Sequence, residues 1–506
     1  MQARSTTAIT TIGIVGAGAM GRGIAQIASM ANVRVRLFDL RPGAAQEARA
    51  SVIGQLERLC EKGKLDASAV ADAGALIEPA ATLDAMADCQ AVVEAIVENI
   101  DAKRDLFRAL EGIVAPDCIL ATNTSSLSVT AIAAAVARPE RVAGFHFFNP
   151  VPLMKVVEVI GGVLTADSVT QSLLDLGRRF GHTAVLARDT PGFIVNHAGR
   201  GYVTEALRIA QENVAGFAQI DEVLRDAAGF KLGPFQLMDL TGLDVSHPVM
   251  ESIYQQYYQE PRYRPSVITA QRLEAGLLGR KSQRGFYRYD GEDTAAAESS
   301  AVAWDGPVWI DAFDPAVRAK ATALLARCGV EPVAQPTAGA LCIVTPLGED
   351  VSTCVARRAL DPERTIGLDL LIDDPRRVTL MTNPATDTKI ALRAKAMFAQ
   401  ASLPATLIDD SAGFIVQRVL ATIVNIGCDI VQQGICTPED LDSAVELGLG
   451  YPHGPLTWGD RIGPARVLAV LHNLHRLTGD PRYRPSPWLT RRAQLGLSLR
   501  HGKQAF

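Results

Sequence analysis

His146 and Glu158 are the residues of this 506-residue chain best suited to proton chemistry. His146 closes the apolar run RVAGFHFF, between Phe145 and Phe147, and Asn149-Pro150 follows. Glu158 lies in the next β-type run, KVVEVI. A carboxylate beside an imidazole fixes its tautomer and stabilises the imidazolium, as a general base requires. A histidine in an apolar strand is more often a hydrogen-bonded core residue. Here the nearby carboxylate, and a position past the expected cofactor crevice, favour catalysis. Metal chemistry finds no support: no cluster has ligand spacing, and His472 and His475 read as a solvated helix face.

A pair of this kind needs a rigid frame, and the frame begins near the N-terminus. TIGIVGAGAMGRGIAQIASMANVRVRLFDL reads as strand, glycine turn, helix, strand and acid. Gly16 permits the tight turn, Gly18 lets backbone N–H groups approach a pyrophosphate, and Gly21 lets helix and strand pack closely. The N–H groups from Gly18 through Ala19 and Met20 open the helix, whose N-terminus favours negative charge. Asp39 is placed to accept from ribose hydroxyls and would repel a 2′-phosphate, so the loop predicts NAD. Arg41 could compensate that repulsion and tempers the preference. Further strands alternate with helical segments, which means a parallel, doubly wound sheet. Ligands collect beyond the C-terminal strand ends of such sheets. Glu98, Lys103 and the turn Asn123-Thr124-Ser125-Ser126 fall there.

With GAGAMG, VVEAIVEN, ATNTSSLSVT, GFHFFNPVPLMKVVEV and DTPGFIVN on one continuous stretch, the chain resembles the L-3-hydroxyacyl-CoA dehydrogenases. The likeness covers residues 10 to about 290. It implies NAD-linked oxidation of the 3-hydroxyl of an (S)-3-hydroxyacyl-CoA, with the site between a Rossmann-like and a helical domain. It further implies His146 as general base, Glu158 as its paired carboxylate, and Ser125 and Asn196 as holders of the substrate oxygen. Gly16, Gly18, Ala19, Met20, Gly21, Asp39, Glu98, Lys103, Asn123 and Ser125 become expected cofactor contacts, and Lys62 a weaker contact for coenzyme A. Bacterial stand-alone relatives of this length act on 3-hydroxyadipyl-CoA in phenylacetate degradation, or on short chains such as 3-hydroxybutyryl-CoA. For a dicarboxylic chain, Lys231 and Arg200 are candidate anchors. The competing readings are a non-catalytic, crystallin-like NAD-binding relative and a dehydrogenase of a free 3-hydroxy acid.

Part of the chain is written twice. DTPGFIVN at 189 returns as DSAGFIVQ at 410, a step of 221, and PRYRPS recurs at 261 and 481. GFHFF at 144 meets GLDLL at 367, a step of 223. By these steps Ser125, His146, Glu158 and Asn196 meet Gly348, Asp369, Met381 and Gln417, so the second copy lacks the base as well as the glycine loop. The predicted class is therefore an α/β Rossmann-like domain followed by an all-α helical domain, with a degenerate repeat of both. The expected boundaries are 8–187 for the NAD-binding domain and 188–290 for the first helical copy. An acidic, Ala/Ser-rich linker at 291–306 precedes a shortened Rossmann-like domain at 307–408 and the second helical copy at 409–506. The two helical copies are expected to form an intrachain pseudo-dimer, with a homo-oligomer open.

Bulk properties restrict the alternatives. Apolar residues make up 48% of the chain, and the net charge of −5 gives no reason to expect nucleic acid or an anionic membrane as partner. Eight scattered cysteines without Cys-x-x-Cys spacing suit buried thiols in a reducing compartment. No apolar run reaches the roughly 18 residues of a membrane span. The expected place is the cytoplasm.

Overall fold

In the computed structural model, which describes residues 8–291, 302–312 and 314–502, TIGIV is an almost wholly buried strand at the centre of a sheet. Eight strands make up that sheet. They are β1 (Thr11–Val15), β2 (Arg34–Phe38), β3 (Ile77–Pro79), β4 (Ala91–Glu94), β5 (Ile119–Thr122), β6 (Val142–Phe147), β7 (Val156–Gly161) and β8 (Thr183–Arg188). The spatial order is β3-β2-β1-β4-β5-β6-β7-β8, with only β7 antiparallel to its neighbour β6. The inner strands β1, β4, β5, β6 and β7 are covered on both faces, which is why they are almost wholly buried rather than alternating. The order reverses between β1 and β4, the switch point at which such sheets hold their ligands. The linker residues 292–301 lie outside the described residues.

The chain divides into two compact units, 1–197 with 433–449, and 198–432 with 450–506. The first holds the eight-stranded sheet. Its late segment includes the helix Pro438–Leu449, which packs on β7 and β8. Sequence reading assigned that helix to the second helical copy and did not anticipate its neighbours.

The second unit holds five strands, β9 (Val308–Asp311), β10 (Leu341–Val344), β11 (Thr365–Leu368), β12 (Val378–Met381) and β13 (Ala405–Ile408), in the order β13-β12-β11-β10-β9. Their order and directions match those of β4 to β8. Among the described residues the counterpart of β1, β2 and β3, the strands that carry the glycine loop and the ribose acid, is missing. The repeat extends to capping. Asp189 accepts from Ser128 Oγ and from the Val129 and Thr130 N–H groups at the start of the helix Val129–Ala133. Asp410, 221 residues on, does the same at Val351 and Ser352 for the helix Val351–Arg358.

One detail of the sequence alignment is corrected by the ladder. β11 and β12 pair as Gly367↔Met381 and Leu368↔Leu380, and the Asp369 N–H donates to Thr379 O at 3.1 Å. Thr379, not Met381, therefore faces Asp369, because the strand connection is two residues shorter than in the first copy. Asp369 Oδ1 accepts from Leu371 N and Gln417 Nε2, both at 3.0 Å, and Gln417 Oε1 accepts from Gly348 N at 2.7 Å. The altered positions still meet, as a closed network with no base.

Burial pushes the Asp369 carboxyl up to about 6, against the opposing pull of the Gln417 and Leu371 donors. The folded state thus keeps a proton that the unfolded chain has released between pH about 4 and 6. Stability from this group is highest below that window, falls as pH rises through it, and is flat above. Asp369→Asn keeps the Oδ1 acceptor and removes the buried charge. At neutral pH it should raise unfolding stability by about 2 kcal/mol and flatten this window, measurable by denaturant unfolding at several pH values.

In the same unit the helices Arg200–Gln211 and Ile415–Gln432 pack together, and Gly201 lets the two backbones approach at Ile423. Each PRYR motif sends its first arginine to a carboxylate of the other copy, Arg262 to Asp429 and Arg482 to Glu205. Ile415–Gln432 is the one described helix long and apolar enough to cross a membrane, and it is buried in the core.

Candidate active site

The antiparallel pairing of β6 and β7 places His146 directly opposite Glu158. Both are nearly free of solvent exposure. His146 Nδ1 lies 2.6 Å from Glu158 Oε2. The other carboxylate oxygen, Oε1, accepts from the Ile194 and Val195 N–H groups, each at 2.9 Å. Glu158 is therefore fixed at both oxygens, and it fixes the ring in turn. No described protein group bonds His146 Nε2. With Nδ1–H committed to the carboxylate, Nε2 is the nitrogen able to take a proton.

The N–H groups of Ile194 and Val195 point at Glu158 because of the turn before them. Gly192 and Phe193 both have left-handed backbones, with φ of +77° and +49°. Glycine adopts this at no cost, whereas a phenylalanine there stores about 1–3 kcal/mol of strain. Successive N–H groups in such a turn make an anion-binding concavity. In the second copy Phe414 does not share the left-handed φ, and no carboxylate takes the place of Glu158. Phe148 and Phe193 flank the His146 ring, at 4.4 and 5.8 Å between centroids.

Ser125 and Asn196 are also brought together. Asn196 Nδ2 donates to the Ser125 carbonyl at 3.4 Å, and Asn196 directly follows Val195. The two expected pairs are thus linked through one stretch of backbone. Asn123 Oδ1 accepts from Phe147 N at 2.8 Å, tying the polar turn to the residue after His146.

Glu98 braces that turn. Its Oε1 accepts from Thr124 Oγ1 at 2.6 Å, Ser125 N at 2.9 Å and Ser126 N at 3.1 Å. Burial alone would raise the Glu98 carboxyl, but the Thr124 hydroxyl, the Lys103 ammonium and the Ser125 N–H outweigh it and hold the group below the ordinary carboxylate range. Lys103 is buried, 2.6 Å from Glu94 Oε1 and 3.3 Å from Glu98 Oε2. Its ammonium is committed inside the fold. Glu94, which sequence reading missed, also accepts from Thr122 Oγ1 and Ile96 N at 2.7 Å each. A buried acid closing β4, nine residues before a lysine, was the available signal. Lys62 caps the C-terminus of the helix Ala44–Glu61, is exposed, and joins none of these contacts.

The glycine loop fits a dinucleotide by observations independent of the motif. Gly16 has φ +106°, and a Cβ there would collide with the Ala95 carbonyl. A Cβ on Gly21 would collide with the Gly16 carbonyl. Gly18 and Ala19 are exposed at the start of the helix Ala19–Met30, Met20 packs partly against the core, and no side chain caps that helix N-terminus. Open space lies where a Gly18 Cβ would be, so the loop leaves room and N–H donors for a pyrophosphate. Asp39 Oδ2 accepts from Ala17 N at 2.7 Å, holding the loop against the end of β2. The Arg41 guanidinium donates to Glu47 at 2.5 and 3.2 Å, and the Arg41 N–H donates to Asp39 Oδ1 at 2.9 Å.

Of the cations expected as acyl-chain anchors, Lys231 is exposed. Arg200 is buried deeply enough to bring its guanidinium down to about 10, with Tyr451 opposing.

Comparison with known proteins agrees with this geometry. Residues 11–190 match the family model described as 3-hydroxyacyl-CoA dehydrogenase, NAD binding domain. Residues 192–289 and 413–506 match the C-terminal domain model of the same family. The chain is 35% identical to a 3-hydroxyadipyl-CoA dehydrogenase of Escherichia coli K12, over 96% of this chain and 98% of that one. It is 41% identical to a probable 3-hydroxybutyryl-CoA dehydrogenase of Bacillus subtilis, over 56% of this chain and 98% of that one. The crystal structure of a 3-hydroxybutyryl-CoA dehydrogenase from Escherichia coli K12 superposes with a TM-score of 0.87 at 34% identity, covering 97% of this chain and 99% of that one.

Proposed function

Since the chain belongs to the 3-hydroxyacyl-CoA dehydrogenase family and is an NAD-dependent enzyme of that activity, we propose that its substrate is (S)-3-hydroxyadipyl-CoA and that His146, paired with Glu158, is the general base. The observation that carries the catalytic assignment is the 2.6 Å contact between His146 Nδ1 and a carboxylate that two backbone N–H groups pin from behind. His146 Nε2 takes the proton of the substrate 3-hydroxyl, and Glu158 stabilises the imidazolium that forms. Ser125 and Asn196 orient the substrate oxygen. Bound NAD supplies the hydride acceptor. The loop around Gly16 to Gly21 holds the pyrophosphate and Asp39 the adenosine ribose. Positioned proton transfer of this kind contributes about 10²–10⁴ in rate.

The substrate assignment is supported by the relative that matches nearly the whole chain, which bears the 3-hydroxyadipyl-CoA name. A second reading, 3-hydroxybutyryl-CoA, is favoured by the name of the full-length structural match. A dicarboxylic chain needs a cation for its distal carboxylate, and Arg200 and Lys231 are the proposed partners. The domain boundaries expected from sequence are kept as a proposal. So is the intrachain pseudo-dimer of helical copies, which the reciprocal Arg262–Asp429 and Arg482–Glu205 pairs support.

Comparing kcat/KM for the two thioesters tests the choice. A preference of about 10²-fold for 3-hydroxyadipyl-CoA, or about 3 kcal/mol of transition-state discrimination, is expected. Equal values would favour a general short-chain enzyme.

A further inference from the structure

The second copy contributes to the first unit a segment that the reaction as described does not use. Residues 433–449 lie in that unit with the whole catalytic pair. The Arg188 N–H, at the end of β8, donates to Ile435 O at 2.9 Å. The Leu186 backbone hydrogen-bonds the Asp440 carboxylate. The helix Pro438–Leu449 then crosses β7 and β8, so that a Cβ on Gly448 would lie 3.0 and 3.1 Å from the two Val195 methyls and 3.4 Å from a Val156 methyl. Val195 donates the N–H that holds Glu158, and Val156 begins the strand that carries it. The Cys436 thiol, raised first by burial and then by the Asp440 and Glu158 charges, shows that the segment lies within electrostatic reach of the same carboxylate.

The repeat supplies an internal comparison. In the second unit the Asp409 N–H donates to Val214 O at 2.9 Å. These residues stand 221 positions after Arg188 and before Ile435 respectively, so each helical copy closes one sheet in the same way. Gly448 is not repeated: the corresponding residue, 221 earlier, is Ala227. Gly448 is the next-to-last residue of its helix, and Ala227 stands just past the end of the helix Phe217–Asp226.

We infer that segment 433–449 is a positioning element of the active site, in which the missing side chain of Gly448 sets the Val195 backbone that holds Glu158 on His146. This rests on the His146–Glu158 assignment above. It means that the second half of the chain takes part in catalysis through the segment it contributes, in addition to any role as scaffold.

The test is Gly448→Ala in the full-length enzyme. Alanine is the better helix former, so thermal stability should hold, yet the new methyl presses on Val195. The expected result is a kcat lowered about tenfold or more, because small misplacement of catalytic groups is costly, with KM for NAD unchanged. Adding Val195→Ala makes room for the methyl and should return kcat to within about threefold of Val195→Ala alone, a non-additive pair. Leu495→Ala, at an exposed helical position outside the segment, should leave kcat as it was. If Gly448→Ala is not recovered folded, Asp440→Ala removes the acceptor of the Leu186 N–H without adding bulk and takes the same readout. Wild-type kcat in the folded single variant, or a loss that Val195→Ala does not relieve, would overturn the inference. Glu158→Gln in the same assay separates the two levels: if it too keeps wild-type kcat, the catalytic assignment itself is wrong.

Discussion

Glu158→Gln is expected to lower kcat by about 10³–10⁴-fold while NADH still binds, because it reverses the tautomer of His146 without disturbing the fold. The glutamine carbonyl can go on accepting from Ile194 and Val195, as Glu158 Oε1 does. Its amide nitrogen then faces His146 Nδ1, where Oε2 now stands at 2.6 Å. An amide N–H2 only donates, so Nδ1 must accept, and the ring proton moves to Nε2. A ring protonated at Nε2 cannot take the substrate proton there, and no negative charge remains to stabilise an imidazolium. The dinucleotide loop is untouched. NADH titration should match wild type, and steady-state kcat should collapse. A kcat within tenfold of wild type would remove Glu158 from this role.

Arg418→Met should destabilise the second unit by about 3–5 kcal/mol, the usual consequence of removing one partner of a buried ion pair. The guanidinium is almost completely buried and donates to Glu205 at 2.8 Å, Glu212 at 2.6 Å, Ser411 at 3.0 Å and Tyr483 at 2.9 Å. Burial works against its charge, but Tyr483, Glu205 and Glu212 outweigh it and push the group well above its ordinary range. Glu205 is itself fully buried and would be left with Arg482 at 3.4 Å and the Tyr483 hydroxyl at 2.8 Å. The cost should therefore fall mainly on Glu205. Adding Glu205→Leu should recover much of it, since an apolar pair of similar size is often no worse than a buried ion pair. Denaturant unfolding of the two singles and the double variant measures this. An additive double variant would contradict it.

The local chemistry of the fold was legible because each requirement is met by neighbouring residues. The run from Ile12 to Asp39 spells out strand, loop, helix and strand, and these elements form as read. The cross-strand contact of His146 with Glu158 followed from two apolar runs joined by a proline-containing turn. Contacts made through long closures were not legible. Nothing near Gly448 in sequence announces that its helix lies against Val195, since 253 positions separate them. The shift from Met381 to Thr379 opposite Asp369 was hidden for a related reason: repeat steps taken from strongly matching motifs cannot register a two-residue loss between them. Lys103 shows a third limit. A lysine at a strand-end crevice reads as a ligand contact, and its buried ion pair with Glu94, nine residues earlier at the end of β4, went unread beside that role.

The most direct test of the central claim is NADH formation from NAD and 3-hydroxyadipyl-CoA by the wild-type enzyme and by His146→Gln, with free 3-hydroxyadipate as the companion substrate. The account predicts rapid NADH formation from the thioester by wild type, a loss of about 10³-fold or more in the variant with NADH binding preserved, and negligible turnover of the free acid. Comparable turnover of the free acid, or a variant that keeps its rate, would contradict it.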